Sequence, residues 1–116
     1  MTREFIMTPV FDRLWGSSGL TDENLRELQN ILLENPFSGD LIKGTGGARK
    51  IRFAFSGKGK SSGMRVLYID LTHLRQTYLI LCYPKSEQDD LTEEQKKQVK
   101  ALIKELKEAT DGAGII

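Results

Sequence analysis

Three strand-like segments constrain the fold of this 116-residue chain more than any other feature of its sequence. In the first segment, apolar Ile51 and Phe53 alternate with Lys50 and Arg52, and a period of two is typical of a strand with one solvated face. In the second segment Met64, Val66 and Tyr68 alternate with Arg65, Leu67 and Ile69. The third segment is almost continuously apolar, as expected of an interior strand. The three segments are residues 49–55, 64–69 and 77–83.

Helical signals lie on both sides of these strands. Thr8 followed by Pro9 is an N-cap with proline at the first helical position, and it predicts a helix that ends near residue 15. Thr21 predicts the start of a second helix, so the two helices should form an αα-hairpin. Thr92 and Gln95 have the spacing of a capping box and predict a third helix. We expect one domain over residues 1–116, in which residues 111–116 form a frayed tail.

The composition is that of an ordinary globular domain, with 17 basic and 16 acidic residues. The longest apolar run, residues 78–83, is much shorter than the ~20 residues that a membrane helix needs. The first residues also lack the charged and apolar pattern of a signal peptide. We therefore expect no membrane span and a cytoplasmic location.

The basic residues are segregated along the chain. Residues 41–69 contain seven of them and no Asp or Glu, which leaves ten basic residues against 16 acidic ones elsewhere. Repulsion among such cations is costly unless an anion binds, so the run indicates a surface that meets phosphates. Lysines on an exposed sheet face can also serve solubility alone. The seven are Lys43, Arg49, Lys50, Arg52, Lys58, Lys60 and Arg65.

Several kinds of site are disfavoured by the remaining residues. Cys82 lies in the apolar run and is expected to be a buried, inert thiol. His73 is the single histidine and falls in a predicted turn, so RNA cleavage by a histidine pair is excluded. One His and one Cys also cannot form a zinc site, and we expect no metal and no cofactor. Residues 54–61 resemble a phosphate loop but lead into a strand rather than a helix, which argues against nucleotide binding.

Five blocks of sequence, in order, resemble the HigB-like branch of the RelE/ParE superfamily, the toxins of bacterial type II toxin–antitoxin pairs. The resemblance extends from residue 5 to about residue 100. The chain departs from the pattern at Ala48, where Leu is common, at Phe53, where Trp is frequent, and at Pro84, where a small residue is usual. The blocks are FIMTPVF, LTDENLRELQNILLENP, GDLIKGTGGARKIR, GKGKSSGMRVLY and YPKSEQDDL.

The resemblance implies a compact α+β fold of the RelE type. In this fold a mixed, mostly antiparallel sheet packs against an N-terminal αα-hairpin and a C-terminal helix. It also implies an endoribonuclease that cleaves mRNA in the decoding site of the ribosomal 30S subunit. The implied partners are the ribosome, the mRNA and a cognate antitoxin, in this family often a helix-turn-helix protein.

The resemblance also assigns residues to the site. Arg52 and Arg65 are expected to be exposed and to clamp the scissile phosphate. A lysine among Lys58, Lys60 and Lys85 would act as base or acid, with Glu87 as an alternative base. Further RNA contacts are expected from Lys43, Arg49, Lys50 and Tyr83, whose ring could stack on a base.

Two other functions remain open from the sequence. The superfamily includes ParE-like proteins that inhibit DNA gyrase by binding and have no nuclease activity. A non-catalytic RNA-binding module would also explain the basic run. New mRNA ends without DNA damage after expression would distinguish a nuclease from a gyrase inhibitor. Cleavage of mRNA on programmed ribosomes would distinguish a nuclease from a non-catalytic RNA-binding module.

Overall fold

The structure is a computed structural model that describes residues 3–54, 63–88 and 90–115. A short 3-10 turn, Thr72–Leu74, joins the fourth strand to the fifth. In chain order the elements are β1 (Glu4–Met7), α1 (Pro9–Ser17), α2 (Asp22–Glu34), β2 (Asp40–Leu41), β3 (Arg49–Phe53), β4 (Met64–Leu71), β5 (Gln76–Pro84) and α3 (Glu93–Ile115).

The five strands form one mixed sheet in the order β1-β5-β4-β3-β2. β1 runs parallel to β5, and the other three pairings are antiparallel. The apolar strand β5 is paired on both sides, which confirms the interior position that its sequence predicts. The register of β4 against β5 shifts between Leu67 and Tyr68, so their pairing contains a bulge.

Local capping residues start the helices where the sequence predicts. The Thr8 hydroxyl accepts a hydrogen bond from the Phe11 amide at 3.0 Å, and Thr21 does the same for Asn24 at 3.1 Å. Before α3, Gln95 and Thr92 exchange hydrogen bonds of 3.0 and 3.1 Å, which confirms the capping box. α3 then continues to Ile115, where the sequence suggested a frayed tail from residue 111.

A separate apolar core lies on each face of the sheet. α1 and α2 contribute Phe11, Trp15, Leu28 and Leu32 to the first core, which packs on Ile51, Phe53, Val66 and Leu79. The second core joins Val99 and Ile103 of α3 to Leu67, Ile69, Ile80 and Tyr83. The α+β architecture expected from the sequence is therefore confirmed as three layers.

The segment between α2 and β2 is fastened to the sheet by Tyr68. Its buried hydroxyl donates to the Pro36 carbonyl at 2.8 Å and accepts from the Gly39 amide at 2.9 Å. Gly39 lies so close to this ring that an added Cβ would approach Tyr68 Cε1 to 2.9 Å. Arg49 crosses the same segment, donating to the Gly39 carbonyl at 2.7 Å and lying 5.1 Å above the Phe37 ring.

Candidate functional site

Strand alternation places Lys50 and Arg52 on the α3 side of the sheet. Their neighbours Ile51 and Phe53 belong to the core under α1 and α2, so the intervening side chains point to the opposite face. In the β3–β4 pairing, Arg52 is directly opposite Arg65. Cβ atoms of directly opposed residues are about 4.5–5.5 Å apart, so two guanidinium side chains share this end of the sheet.

Arg65 is buried, contrary to the expectation that both arginines would be exposed. Only 4% of its surface is accessible, whereas Arg52 is exposed. The reason is topological, because β4 lies in the middle of the sheet and α3 covers the face that Arg65 shares with Leu67. Arg65 is thus part of the packed structure as well as a candidate phosphate ligand.

An acidic residue from outside the basic run reaches this surface. Asp90, just before α3, accepts a hydrogen bond from Lys50 Nζ at 2.8 Å. The hydrogen bond and the charge of Lys50 lower the pKa of the Asp90 carboxyl, and the charges of Lys96 and Arg65 act in the same direction. Three cations thus favour the ionised form of one carboxylate, and we call Lys50, Arg65 and Lys96 the cation cluster.

Sequence reasoning missed Asp90 and Lys96. No acid occurs within residues 41–69, but Asp90 comes from 40 positions beyond Lys50 and neutralises part of the charge. The only available signal was the block YPKSEQDDL, which places acids directly after the last strand. Its pairing with Lys50 depends on tertiary structure, so the residue spacing alone could not reveal it.

Asp90 is held in position by hydrogen bonds around its backbone. Gln88 Nε2 donates to the Asp90 carbonyl at 2.9 Å and to Gln95 Oε1 at 2.8 Å. The same Gln95 oxygen accepts from the Thr92 amide in the capping box. The next residue, Leu91, is buried in the α3 core. The backbone position of Asp90 is therefore fixed by the start of α3.

The turn after β5 carries two other predicted site residues. Lys85 and Glu87 are both exposed, and the Lys85 amide donates to the Gly63 carbonyl at 3.1 Å. This bond ties the turn to the beginning of β4, close to the Arg52–Arg65 pair. Tyr83 is directly opposite Arg65 but is only 6% exposed. Stacking of its ring on a base stays a prediction and requires the site to open.

The remaining predicted residues are not all brought together. Arg49 points to the other face of the sheet, where it contacts Phe37 and Gly39. Lys43 is exposed in the loop between β2 and β3. Lys58 and Lys60 lie outside the described residues, in the segment that connects β3 to β4.

Cys82 and His73 occupy the positions that the sequence predicts. Cys82 is fully buried, and its burial raises the pKa of the thiol to about 12, so it is not a nucleophile at neutral pH. His73 is exposed in the turn at the far end of the β4–β5 hairpin from the Arg52–Arg65 pair. Within the described parts of the chain, no group of three or more His, Cys, Asp or Glu residues is arranged to bind a metal ion.

The geometry suits an anionic ligand. Arg52 offers a planar fork of donors at the surface, and Lys50 adds a point charge on the same face. Lys85 and Glu87 are exposed in the turn that the Lys85 amide ties to the beginning of β4. Among the described residues, none of the helices combines the length and the apolar character that crossing a bilayer requires.

Comparison with known proteins gives the family of the chain and supports its fold. The family described as the RelE toxin of the RelE / RelB toxin–antitoxin system matches residues 4–113. Among solved structures, the chain is similar to the free state of an Escherichia coli toxin RelE mutant in which two arginines are replaced by alanine. The TM-score is 0.50 at 17% sequence identity, over 77% of this chain and 90% of that one. At this identity the structural match supports the fold.

Proposed function

The chain belongs to the RelE family of toxins from toxin–antitoxin systems, and we propose that it is an endoribonuclease that cleaves mRNA on the ribosome. A ribosomal target places its action in the cytoplasm. The HigB-like character of the sequence is a finer assignment within the same proposal. The observation that carries the proposal is the placement of Lys50, Arg52 and Arg65, from two paired strands, on one face of the sheet.

The proposed reaction is attack of an RNA 2′-hydroxyl on the adjacent phosphate. This step needs a base for the hydroxyl, positive charge for the pentavalent phosphate and an acid for the leaving 5′-oxygen. In this proposal Arg52 and Lys50 bind the phosphate oxygens, and Arg65, which is buried and directly opposite Arg52, adds positive charge. Lys85 and Glu87 are the exposed candidates for proton transfer, together with Lys58 and Lys60 of the β3–β4 connection.

Dependence on the ribosome fits the form of this surface. The turn that carries Lys85 and Glu87 is exposed, so nothing in the described part of the chain encloses an RNA strand there. A flexible mRNA must nevertheless be held with its 2′-hydroxyl aligned to the phosphate for the reaction to be fast. We propose that the decoding site of the 30S subunit provides this alignment.

We further propose a cognate antitoxin, expected to be a helix-turn-helix protein, as the partner that silences the toxin. A partner that covers Arg52 and Lys85 would block access of RNA to the phosphate ligands. Electrostatic attraction between this surface and either the RNA or an acidic partner segment is screened by salt. Both associations should therefore weaken as ionic strength rises.

Mapping of mRNA ends after induced expression tests the proposal. We expect new ends within translated regions, and we expect them to disappear when translation initiation is blocked. Equal cleavage of untranslated RNA would contradict ribosome dependence. Growth arrest with DNA damage and intact mRNA would instead support gyrase inhibition, and intact mRNA without DNA damage would support binding without catalysis.

A further inference from the structure

We infer that Asp90 is the resident counter-anion of the cation cluster, and that RNA must displace its carboxylate in order to place a phosphate there. The inference rests on the proposed function for the identity of the ligand as RNA. It rests on the described structure for the position of the carboxylate.

The contacts of Asp90 are those that a phosphate oxygen would make. Its Oδ1 atom lies 2.8 Å from Lys50 Nζ, a normal length for a charge-assisted hydrogen bond. Arg65 and Lys96 are close enough that their charges favour the ionised carboxylate. A carboxylate therefore already occupies a position beside these cations in the free protein.

The exposure of the Lys50–Asp90 ion pair allows another anion to replace the Asp90 carboxylate. The Asp90 side chain is 80% exposed and that of Lys50 is 25% exposed, so water reaches the contact from the carboxylate side. Exposed ion pairs contribute little to stability and are easily replaced by another anion. The backbone of Asp90 is fixed through Gln88 and the capping box, so exchange requires only rotation of a short side chain.

The consequence is a built-in discrimination against weakly held RNA. A phosphate that reaches the cation cluster has to compete with a carboxylate that is tethered beside it. RNA that is positioned by the ribosome can displace the Asp90 carboxylate with its phosphate. RNA in free solution binds less tightly than it would if Asp90 were absent. Asp90 is thus a specificity-determining residue rather than a catalytic one.

The test measures binding of the full-length protein, purified without its antitoxin, to a fluorescent single-stranded 2′-O-methyl oligoribonucleotide. This probe lacks the free 2′-hydroxyl and cannot be cleaved by the proposed reaction. Anisotropy titrations compare the wild type with Asp90→Asn and with Glu105→Gln. Glu105 is an exposed residue of α3. It lies twelve residues beyond the helix start at Glu93, about 18 Å along the axis and beyond the screening length of about 8–10 Å.

We expect Asp90→Asn to bind the oligonucleotide about 3- to 10-fold more tightly than the wild type, because one negative charge is removed beside the phosphate position. Glu105→Gln removes the same charge at a distance and should stay within about 1.5-fold of the wild type. The gain from Asp90→Asn should shrink in a Lys50→Gln background, because the carboxylate then loses its main ligand. It should also shrink as salt is added.

The opposite results would overturn the inference. If Asp90 only anchors the connection between β5 and α3, Asp90→Asn would melt at a lower temperature and bind no better than the wild type. An equal gain in Glu105→Gln, or an undiminished gain in the Lys50→Gln background, would mean that net charge alone matters. Failure of every variant to bind also counts against it.

Cleavage of ribosome-bound mRNA by the wild type, measured separately, keeps the two proposals distinguishable. If the wild type cleaves mRNA but Asp90→Asn binds the oligonucleotide no more tightly, only the inference about Asp90 is contradicted. If Asp90→Asn binds more tightly but the wild type does not cleave mRNA, only the nuclease proposal is contradicted.

Discussion

Replacement of Arg52 by alanine tests whether phosphate binding at the sheet end drives cleavage. Arg52 is exposed, and its directly opposed neighbour on β4 is another arginine. Its removal relieves like-charge repulsion and opens no cavity, so the free energy of unfolding should change by no more than about 0.5 kcal/mol. A destabilised Arg52→Ala protein would mean that the side chain has a packing role that its exposure does not show.

The effect on cleavage should be large. If the guanidinium donates to a phosphate oxygen that gains charge in the transition state, its loss should slow cleavage about 100-fold, equivalent to about 2.7 kcal/mol. The measurement is single-turnover cleavage of a defined mRNA on programmed ribosomes, with ribosomes saturating so that weaker association does not lower the rate. Under these conditions the rate reports the chemical step or the alignment that precedes it.

The matched control is Arg26→Ala. Arg26 lies on α2, its side chain is 69% exposed, and it makes only a loose contact of 3.7 Å with Glu23. The charge change is identical, but the residue belongs to the helical layer on the other side of the sheet. Cleavage by Arg26→Ala should equal that of the wild type. An Arg52→Ala protein that also cleaves within about 3-fold of the wild type would refute a transition-state role for Arg52.

Three other predictions concern stability and residues outside the site. Tyr68→Phe should lower the free energy of unfolding by about 1–3 kcal/mol in urea titrations, because it leaves the buried Gly39 amide without its acceptor. Burial raises the pKa of the Cys82 thiol to about 12, whereas an unfolded cysteine has a pKa of about 8.5. The neutral thiol therefore contributes stability that is fully present below about pH 8.5 and is lost as the pH rises towards 12. Wild-type stability should therefore fall more steeply between pH 9 and 10.5 than that of Cys82→Ala, and parallel slopes would contradict this. His73→Ala should cleave mRNA on ribosomes at the wild-type rate, and an inactive variant would move the site to the other end of the β4–β5 hairpin.

The elements that the sequence predicted correctly are those with local causes. Thr8, Thr21 and Thr92 each satisfy an amide only three residues away, so their helix starts are visible without any tertiary information. The alternation around Ile51 likewise reports which side of β3 is buried. The two-residue strand β2 has no such local pattern, because its pairing with β3 is set by the path of the chain after α2.

The features that the sequence could not provide depend on contacts between distant segments. The burial of Arg65 follows from the central position of β4 and from α3 lying across it, and neither is encoded near residue 65. The Lys50–Asp90 pair joins residues 40 positions apart. For this reason the charge run did not reveal that Arg65 is buried or that Lys50 is already paired with Asp90. That the surface binds an anion stays a prediction.

Whether the protein is a ribosome-dependent nuclease is tested by cleavage of an end-labelled mRNA by the purified protein, with the RNA either free or held in programmed ribosomes. We expect rapid cleavage only in the ribosome, at a codon in the decoding site. The upstream product should end in a 2′,3′-cyclic phosphate, because the 2′-hydroxyl is the nucleophile. Equal cleavage of free RNA would contradict ribosome dependence. An upstream product with a free 3′-hydroxyl would contradict attack by the 2′-hydroxyl. Intact mRNA in both samples would contradict nuclease function altogether.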